Sequence, residues 1–154
     1  MFEGHFGGFW RRAIAYGIDK IILNFISAIL FLAGMLAMGL SLPAYHHGRD
    51  GGLVESLLGG RFLAFYYVMT VFIDMVYFTG FHGATGQTPG KSLLRLRVVQ
   101  STGYPVTFGV AFLRWVGYII SAAVFCLGFI WIIFDRKKQG WHDKIAGTVV
   151  QKIP

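Results

Sequence analysis

An arginine, a tyrosine and an aspartate share one face of the first apolar segment. Arg12, Tyr16 and Asp19 are spaced i, i+4 and i+7, which places them on one side of a helix. If that helix crosses a membrane, Asp19 lies about 10.5 Å deeper than Arg12. An acid at such depth costs about 2.5–3.5 kcal/mol and needs a partner. Asp19 therefore either binds a proton or cation, or forms an ion-pair clasp with a basic residue of another segment, such as Arg114.

Asp74 is the only charged residue of the second apolar segment, which runs from Phe62 to about Phe81. It lies about 20 Å beyond Arg61 along a helix axis. Burial of a carboxyl favours its neutral form. Asp74 therefore either binds and releases a proton, or stays neutral and hydrogen-bonds a neighbouring helix. Asp19 and Asp74 form the predicted ion or proton site.

The segment Thr85–Ser92 is similar to a nucleotide-binding loop but lacks its spacing. That motif has four residues between its first glycine and its Gly-Lys pair, and counting back from Gly90 places Thr85 where the first glycine is needed. The sequence therefore excludes nucleotide hydrolysis and favours a turn at the membrane surface, with Lys91 near lipid phosphates. The residues of this turn are Thr88, Pro89, Gly90 and Lys91.

Two pairs of residues contain histidine, His46 with His47 and His142 with Asp143. Neither pair has the spacing that surrounds a tetrahedral metal, so both favour interfacial hydrogen bonding. The sequence offers no arrangement for nucleophilic catalysis. We therefore expect no enzyme activity, no metal and no cofactor.

The composition predicts that lipid covers most of the surface. The chain has 154 residues, of which 55% are hydrophobic and 14% are charged, whereas a soluble domain has roughly 25% charged residues. This length suits one domain, 1–154. The net charge of +7 fits loops on the cytoplasmic side of a membrane, and no motif indicates a nucleic-acid partner.

The apolar segments predict spans at approximately 12–42, 62–82 and 106–134. Pro43 ends the first, and Ala44–Arg61 is a polar loop with room for one short interfacial helix. We expect a cytoplasmic N-terminus, a cytoplasmic loop at 83–105 and a cytoplasmic tail at 135–154. Leu93–Val99 and Gly147–Ile153 are rich in β-forming residues, which predicts a small sheet on one side of the membrane.

Residues 106–134 allow two arrangements. One crossing would separate the two strand-like pieces and would place the basic tail opposite the other basic loops. A helical hairpin that dips in and returns avoids both problems and is favoured over an interfacial helix followed by one span. The predicted fold is an all-α membrane protein, a small helical bundle with two long transmembrane helices, this hairpin and a small cytoplasmic β pairing.

The chain resembles the RDD family of membrane proteins. The resemblance extends over nearly the whole chain and rests on Gly8–Asp19, Thr85–Lys91 with Leu96–Val99, Phe134–Asp135, Gln139–Asp143 and Ala146–Val150. The family is named for one arginine and two aspartates. The resemblance assigns the arginine to Arg12 and the first aspartate to Asp19. The second is Asp143 or Asp135, with Asp143 favoured.

Some members of the family are described as sodium/proton antiporters, so two functions stay open. The first is a non-enzymatic helix-packing subunit or accessory module, which associates with itself or with a larger membrane complex. The second is a monovalent cation/proton antiporter that exchanges Na⁺ and H⁺ as an oligomer. The sequence favours the first, because Asp74 alone lies near mid-membrane. The expected location is a bacterial-type inner (plasma) membrane.

Overall fold

The computed structural model of the chain describes residues 6–37, 52–124 and 127–153. The described part is mostly helical, with one small sheet. Its elements are α1 (Phe9–Ala37), α2 (Gly52–Thr85), α3 (Pro89–Leu93), β1 (Leu96–Gln100), α4 (Phe108–Ala123), α5 (Leu127–Ile130), a 3₁₀ helix (Trp131–Ile133), α6 (Trp141–Ile145) and β2 (Thr148–Lys152).

Two of these helices are long and apolar enough to cross a membrane, over Phe9–Leu36 and Gly59–Thr85. Large side chains such as Phe25 and Phe65 stand 69% and 64% exposed on them, as lipid-facing residues do. The prediction of two long membrane helices is confirmed. The predicted stop at Pro43 lies outside the described residues.

Helix α2 begins earlier than the sequence suggested. Residues 52–61 belong to it, whereas the sequence assigned them to a polar loop. Since this stretch contains leucine, valine and glutamate but no proline, the helix continues through the glycine pair at 59–60. The rest of the predicted loop, with His46 and His47, lies outside the described residues.

The predicted strand pairing is confirmed. Strands β1 and β2 are antiparallel, with Val98 opposite Val150. Leu96, Val98 and Val150 are buried in a small apolar core together with Ala15 from α1 and Ala111 from α4. The sheet thus packs against α1 and α4, and it helps to position the residues described below.

The region after the sheet contains a break. Helix α4 and the segment Leu127–Ile133 are bent by 111°, across residues that include the undescribed 125 and 126. Gly128 packs tightly against α4, since a Cβ there would lie 2.5 Å from Ser121 Oγ. The segment is therefore not one straight helix, and its predicted path into the membrane and back stays a prediction.

The chain divides into two compact units, Met1–Ile21 with Met75–Pro154, and Ile22–Asp74. In the second unit, the ring of Phe31 lies 5.4 Å from that of Phe62 and 5.0 Å from that of Tyr66. In the first unit, the beginning of α1 lies beside the end of α2, the sheet and α4. All residues of the site belong to this first unit.

Candidate functional site

A buried carboxylate between two guanidiniums forms the centre of the first unit. Asp143 Oδ2 accepts a hydrogen bond from Arg12 Nη1 at 2.6 Å, and Asp143 Oδ1 lies 2.5 Å from Arg114 Nη1. Asp143 is 0% exposed, Arg114 1% and Arg12 6%. Because charge-assisted contacts of this length are strong, the three side chains hold α1, α4 and α6 together. We call them the central ion cluster.

Local sequence explains how each member reaches the cluster. In the first unit, the buried positions of α1 are Arg12, Ala15 and Asp19, with Tyr16 half-buried, which is the helical face that the sequence predicted. Asp143 lies in the first turn of α6 and accepts a hydrogen bond from the backbone N–H of Gly140 at 2.9 Å. A carboxylate at the beginning of a helix satisfies an N–H that has no partner within the helix.

Helix α4 presents its polar side chains inward. Arg114, Gly117, Tyr118 and Ser121 are buried at helical spacing. Arg114 donates through Nε to Tyr118 Oη at 3.1 Å and through Nη1 to Thr148 Oγ1 of β2 at 2.5 Å. The arginine therefore ties α4 to the sheet as well as to α6.

Lys91 does not lie at the membrane surface, which corrects the prediction for the turn of Thr88, Pro89, Gly90 and Lys91. It is 4% exposed and contacts His82 Nε2 at 2.6 Å and Tyr118 Oη at 3.2 Å. His82 Nδ1 lies 2.7 Å from the Phe78 carbonyl, so Nδ1 carries the proton and Nε2 accepts from the ammonium. The polar partners of Lys91 in the fold are thus a histidine and a tyrosine, and its side chain is not exposed at the surface.

Asp19 joins α1 to the same turn. Its Oδ2 accepts from Thr88 Oγ1 at 2.5 Å, and its Oδ1 accepts from Tyr77 Oη at 2.9 Å and from Gly90 N at 2.8 Å. The predicted clasp between Asp19 and Arg114 is wrong, because Arg114 pairs with Asp143. Neutral donors hold Asp19 instead, and both of its carboxylate oxygens accept hydrogen bonds.

Burial and charge act in opposite directions on Asp143. Burial alone would raise the pKa of this carboxyl, but the guanidiniums of Arg114 and Arg12 outweigh it and hold the pKa below its ordinary range. Asp143 is therefore ionised. Burial likewise lowers the pKa of Lys91, with Arg114 adding to the effect while Tyr118 opposes it.

His142 should make stability depend on pH. Burial lowers the pKa of its imidazole to about 3, against the neighbouring Asp143 charge. Below its ordinary pKa of 6.5 the unfolded chain binds a proton that the folded chain does not. Stability should therefore fall from pH 6.5 towards 3, by up to about 1.4 kcal/mol per pH unit. Unfolding midpoints of the wild type and His142→Gln between pH 7 and 4.5 test this, and equal slopes would contradict it.

The remaining predicted residues are not members of the central ion cluster. Asp135 pairs with Lys144 at 2.7 Å, and the Lys144 side chain is 44% exposed. The hydrogen bond from Lys144 lowers the pKa of Asp135. Asp74 is half-buried on α2 and belongs to the second unit. His142 is 3% exposed, so the interfacial position predicted for His142 and Asp143 is wrong.

A cavity of about 300 Å³ adjoins the central ion cluster. Arg12, Lys91 and Arg114 line it together with Tyr118 and His142, and the rest of its wall is mostly apolar. In the described part of the chain, no group of three or more His, Cys, Asp or Glu side chains could hold a metal ion. Because the arginine and lysine side chains in the cavity wall can only donate, the polar groups of the wall are mainly hydrogen-bond donors.

Sequence reasoning missed how central Arg114 is. The available signal was a single charge within the apolar stretch 106–134, because such a charge needs a buried partner. No comparable signal marked His82, Tyr118 or Thr148. Their roles depend on contacts between segments far apart in the chain.

Comparison with known proteins supports the resemblance to the RDD family over most of the chain. The RDD family model matches residues 6–147. The chain is 34% identical over 145 residues to the uncharacterized protein YxaI of Bacillus subtilis, covering 93% of this chain and 95% of that protein. It is 29% identical over 157 residues to a proline-rich antigen of Mycobacterium leprae, covering 94% of this chain.

The chain spans 61% of the length of the proline-rich antigen. It is also 34% identical over 87 residues to the uncharacterized protein RP437 of Rickettsia prowazekii, covering 56% of this chain and 48% of that protein. No solved structure matches the chain. The family match covers most of the chain, including Arg12, Asp19, Asp135 and Asp143, and the chain therefore belongs to the RDD family.

Proposed function

We propose that this protein is a non-enzymatic membrane module, whose charged signature residues hold α1 to α4, α6 and the turn after α2. One observation carries the proposal. Asp143 is enclosed by Arg12 and Arg114, so its charge serves packing and is not available to a passing ion. A buried carboxylate between two guanidiniums favours one arrangement of the helices around it.

The first aspartate supports the same role. Three donors already occupy the Asp19 carboxylate, from Tyr77, Thr88 and Gly90. A cation could bind Asp19 only by displacing these donors, each of which would then lack a partner in a buried place. Asp19 is thus a connector between α1 and the turn after α2.

The proposed partner is another membrane protein, either a second copy of this chain or a larger assembly in a bacterial-type inner membrane. The outer faces of α1 and α2 carry large exposed apolar side chains, which lipid or a neighbouring helix must cover. Helix-to-helix association in lipid needs only close packing and a few polar contacts. The module would act by packing rather than by chemistry.

Transport in vesicles tests the proposal against a sodium/proton antiporter. Purified protein would be reconstituted in lipid vesicles with a pH-sensitive dye inside, and a sodium gradient would be imposed. We expect no sodium-driven proton movement from the wild type, and copurification of one stable partner or of a dimer in mild detergent. Proton movement that is lost in Asp74→Asn, but kept in the surface control Asp135→Asn, would overturn the proposal in favour of the antiporter.

A further inference from the structure

The cavity beside the central ion cluster has more positive than negative charge. Arg12, Lys91 and Arg114 line it, and Asp143 is the carboxylate that contacts two of them. In the described part of the chain, no carboxylate lies within salt-bridge distance of Lys91. The hydrogen-bond partners of Lys91 are His82 and Tyr118. Three buried cations thus face one carboxylate.

An excess of buried cations has a physical cost. A buried charge is tolerated when an opposite charge or several hydrogen bonds compensate it. Asp143 is already shared between Arg12 and Arg114, so it does not neutralise Lys91. An anion in the cavity would supply the missing negative charge and would accept hydrogen bonds from both the ammonium and the guanidinium groups. The cavity volume of about 300 Å³ is at the lower end of ordinary ligand pockets.

The wall and mouth of the cavity indicate what the rest of the ligand is. Most of the lining is apolar, including Phe129, Ile132 and Val150. Ala13 of α1 and Ala122 of α4 also line it and are exposed, so they lie at its mouth. Their neighbours Ile14 and Ile119 are large exposed apolar residues, so the mouth faces the same surroundings as the lipid-covered helices.

We propose that the cavity binds an anionic lipid. Its headgroup phosphate contacts Lys91 and Arg114, and its acyl chain leaves between Ala13 and Ala122 along Phe129. A free phosphate ion shares the headgroup chemistry but leaves the apolar wall uncovered. The inference does not depend on the proposed function, since a packing module and an antiporter could each hold such a lipid.

Lipid binding can be measured by native mass spectrometry of the whole protein in detergent. The probes are phosphatidylglycerol and phosphatidylcholine with the same acyl chains, and inorganic phosphate. Both lipids carry a phosphate, but phosphatidylcholine adds a quaternary ammonium that the three cations of the cavity repel. We therefore expect phosphatidylglycerol to bind roughly 10- to 100-fold more tightly than phosphatidylcholine. Inorganic phosphate at the same concentration should not compete. Equal binding of the two lipids would overturn the proposal, and competition by inorganic phosphate would overturn the assignment to a lipid.

Two neighbouring alanines of α4 provide the matched variants. Ala122→Phe fills the mouth of the cavity, whereas Ala123→Phe adds the same ring one residue further, at an exposed position that does not line the cavity. The preference for phosphatidylglycerol should disappear in Ala122→Phe and persist in Ala123→Phe. Lys91→Gln should reduce the preference without blocking the mouth. A preference unchanged in both Ala122→Phe and Lys91→Gln would place lipid binding elsewhere and overturn the proposal.

Discussion

Asp143→Asn should destabilise the folded protein by about 3–5 kcal/mol, because it leaves two buried guanidiniums without their counter-ion. Arg12 and Arg114 both contact this carboxylate and are themselves 6% and 1% exposed. The amide has nearly the same shape as the carboxylate, so packing changes little. The lost stability therefore measures the effect of removing the negative charge. The two buried cations would then repel each other with no carboxylate between them.

Unfolding in detergent, followed by circular dichroism, measures this loss. Asp135→Asn is the matched control. It removes an ion pair with the half-exposed Lys144, and such pairs contribute about 0–1 kcal/mol. The asparagine oxygen can still accept from the backbone N–H groups of Lys137 and Gln139. The comparison also tests which C-terminal aspartate, Asp143 or Asp135, forms the stabilising ion pair with Arg12. If Asp135→Asn were the more harmful change, the central ion cluster would not hold the fold together.

Local patterns in the sequence predicted the elements and faces but not the partners. The spacing of Arg12 and Asp19 placed them on the buried face of α1, and β-forming residues located β1 and β2. The partners could not be predicted, because Arg12 and Asp143 are 131 residues apart in the chain. Helical periodicity describes one element at a time, whereas an ion pair between elements depends on how they pack.

Lys91 shows a second reason why the site was only partly predictable. A lysine in a glycine-rich turn beside an apolar helix is ordinarily solvated, so the sequence placed it at the surface. The fold buries it because His82 of α2 and Tyr118 of α4 provide acceptors. Neither residue carries a formal charge that would mark it as a partner. A sequence shows which charged residues lie within apolar segments. It does not show which neutral groups accept their hydrogen bonds.

Gly90→Ala should destabilise the protein by about 1–3 kcal/mol or more, as overpacking of a close contact does. A Cβ at this position would overlap the backbone carbonyl of Ala15 and would lie 2.9 Å from Asp19 Oδ1. Because the obstacle is the backbone of α1, it cannot move aside as a flexible side chain could. The turn would have to separate from α1, and the hydrogen bond from Gly90 N to Asp19 would be lost.

Gly109→Ala is the control, because the same substitution at this position should raise the stability instead of lowering it. Gly109 lies in the first turn of α4, and nothing stands within 4 Å of a Cβ placed there. Alanine should therefore stabilise the helix, by up to about 0.5 kcal/mol at this position. Unfolding midpoints of the two variants in the same detergent should therefore move in opposite directions. A Gly90→Ala protein as stable as the wild type would mean that the turn and α1 do not pack closely. Asp19 would then lack one of its three donors and would be open to a cation, as an antiporter requires.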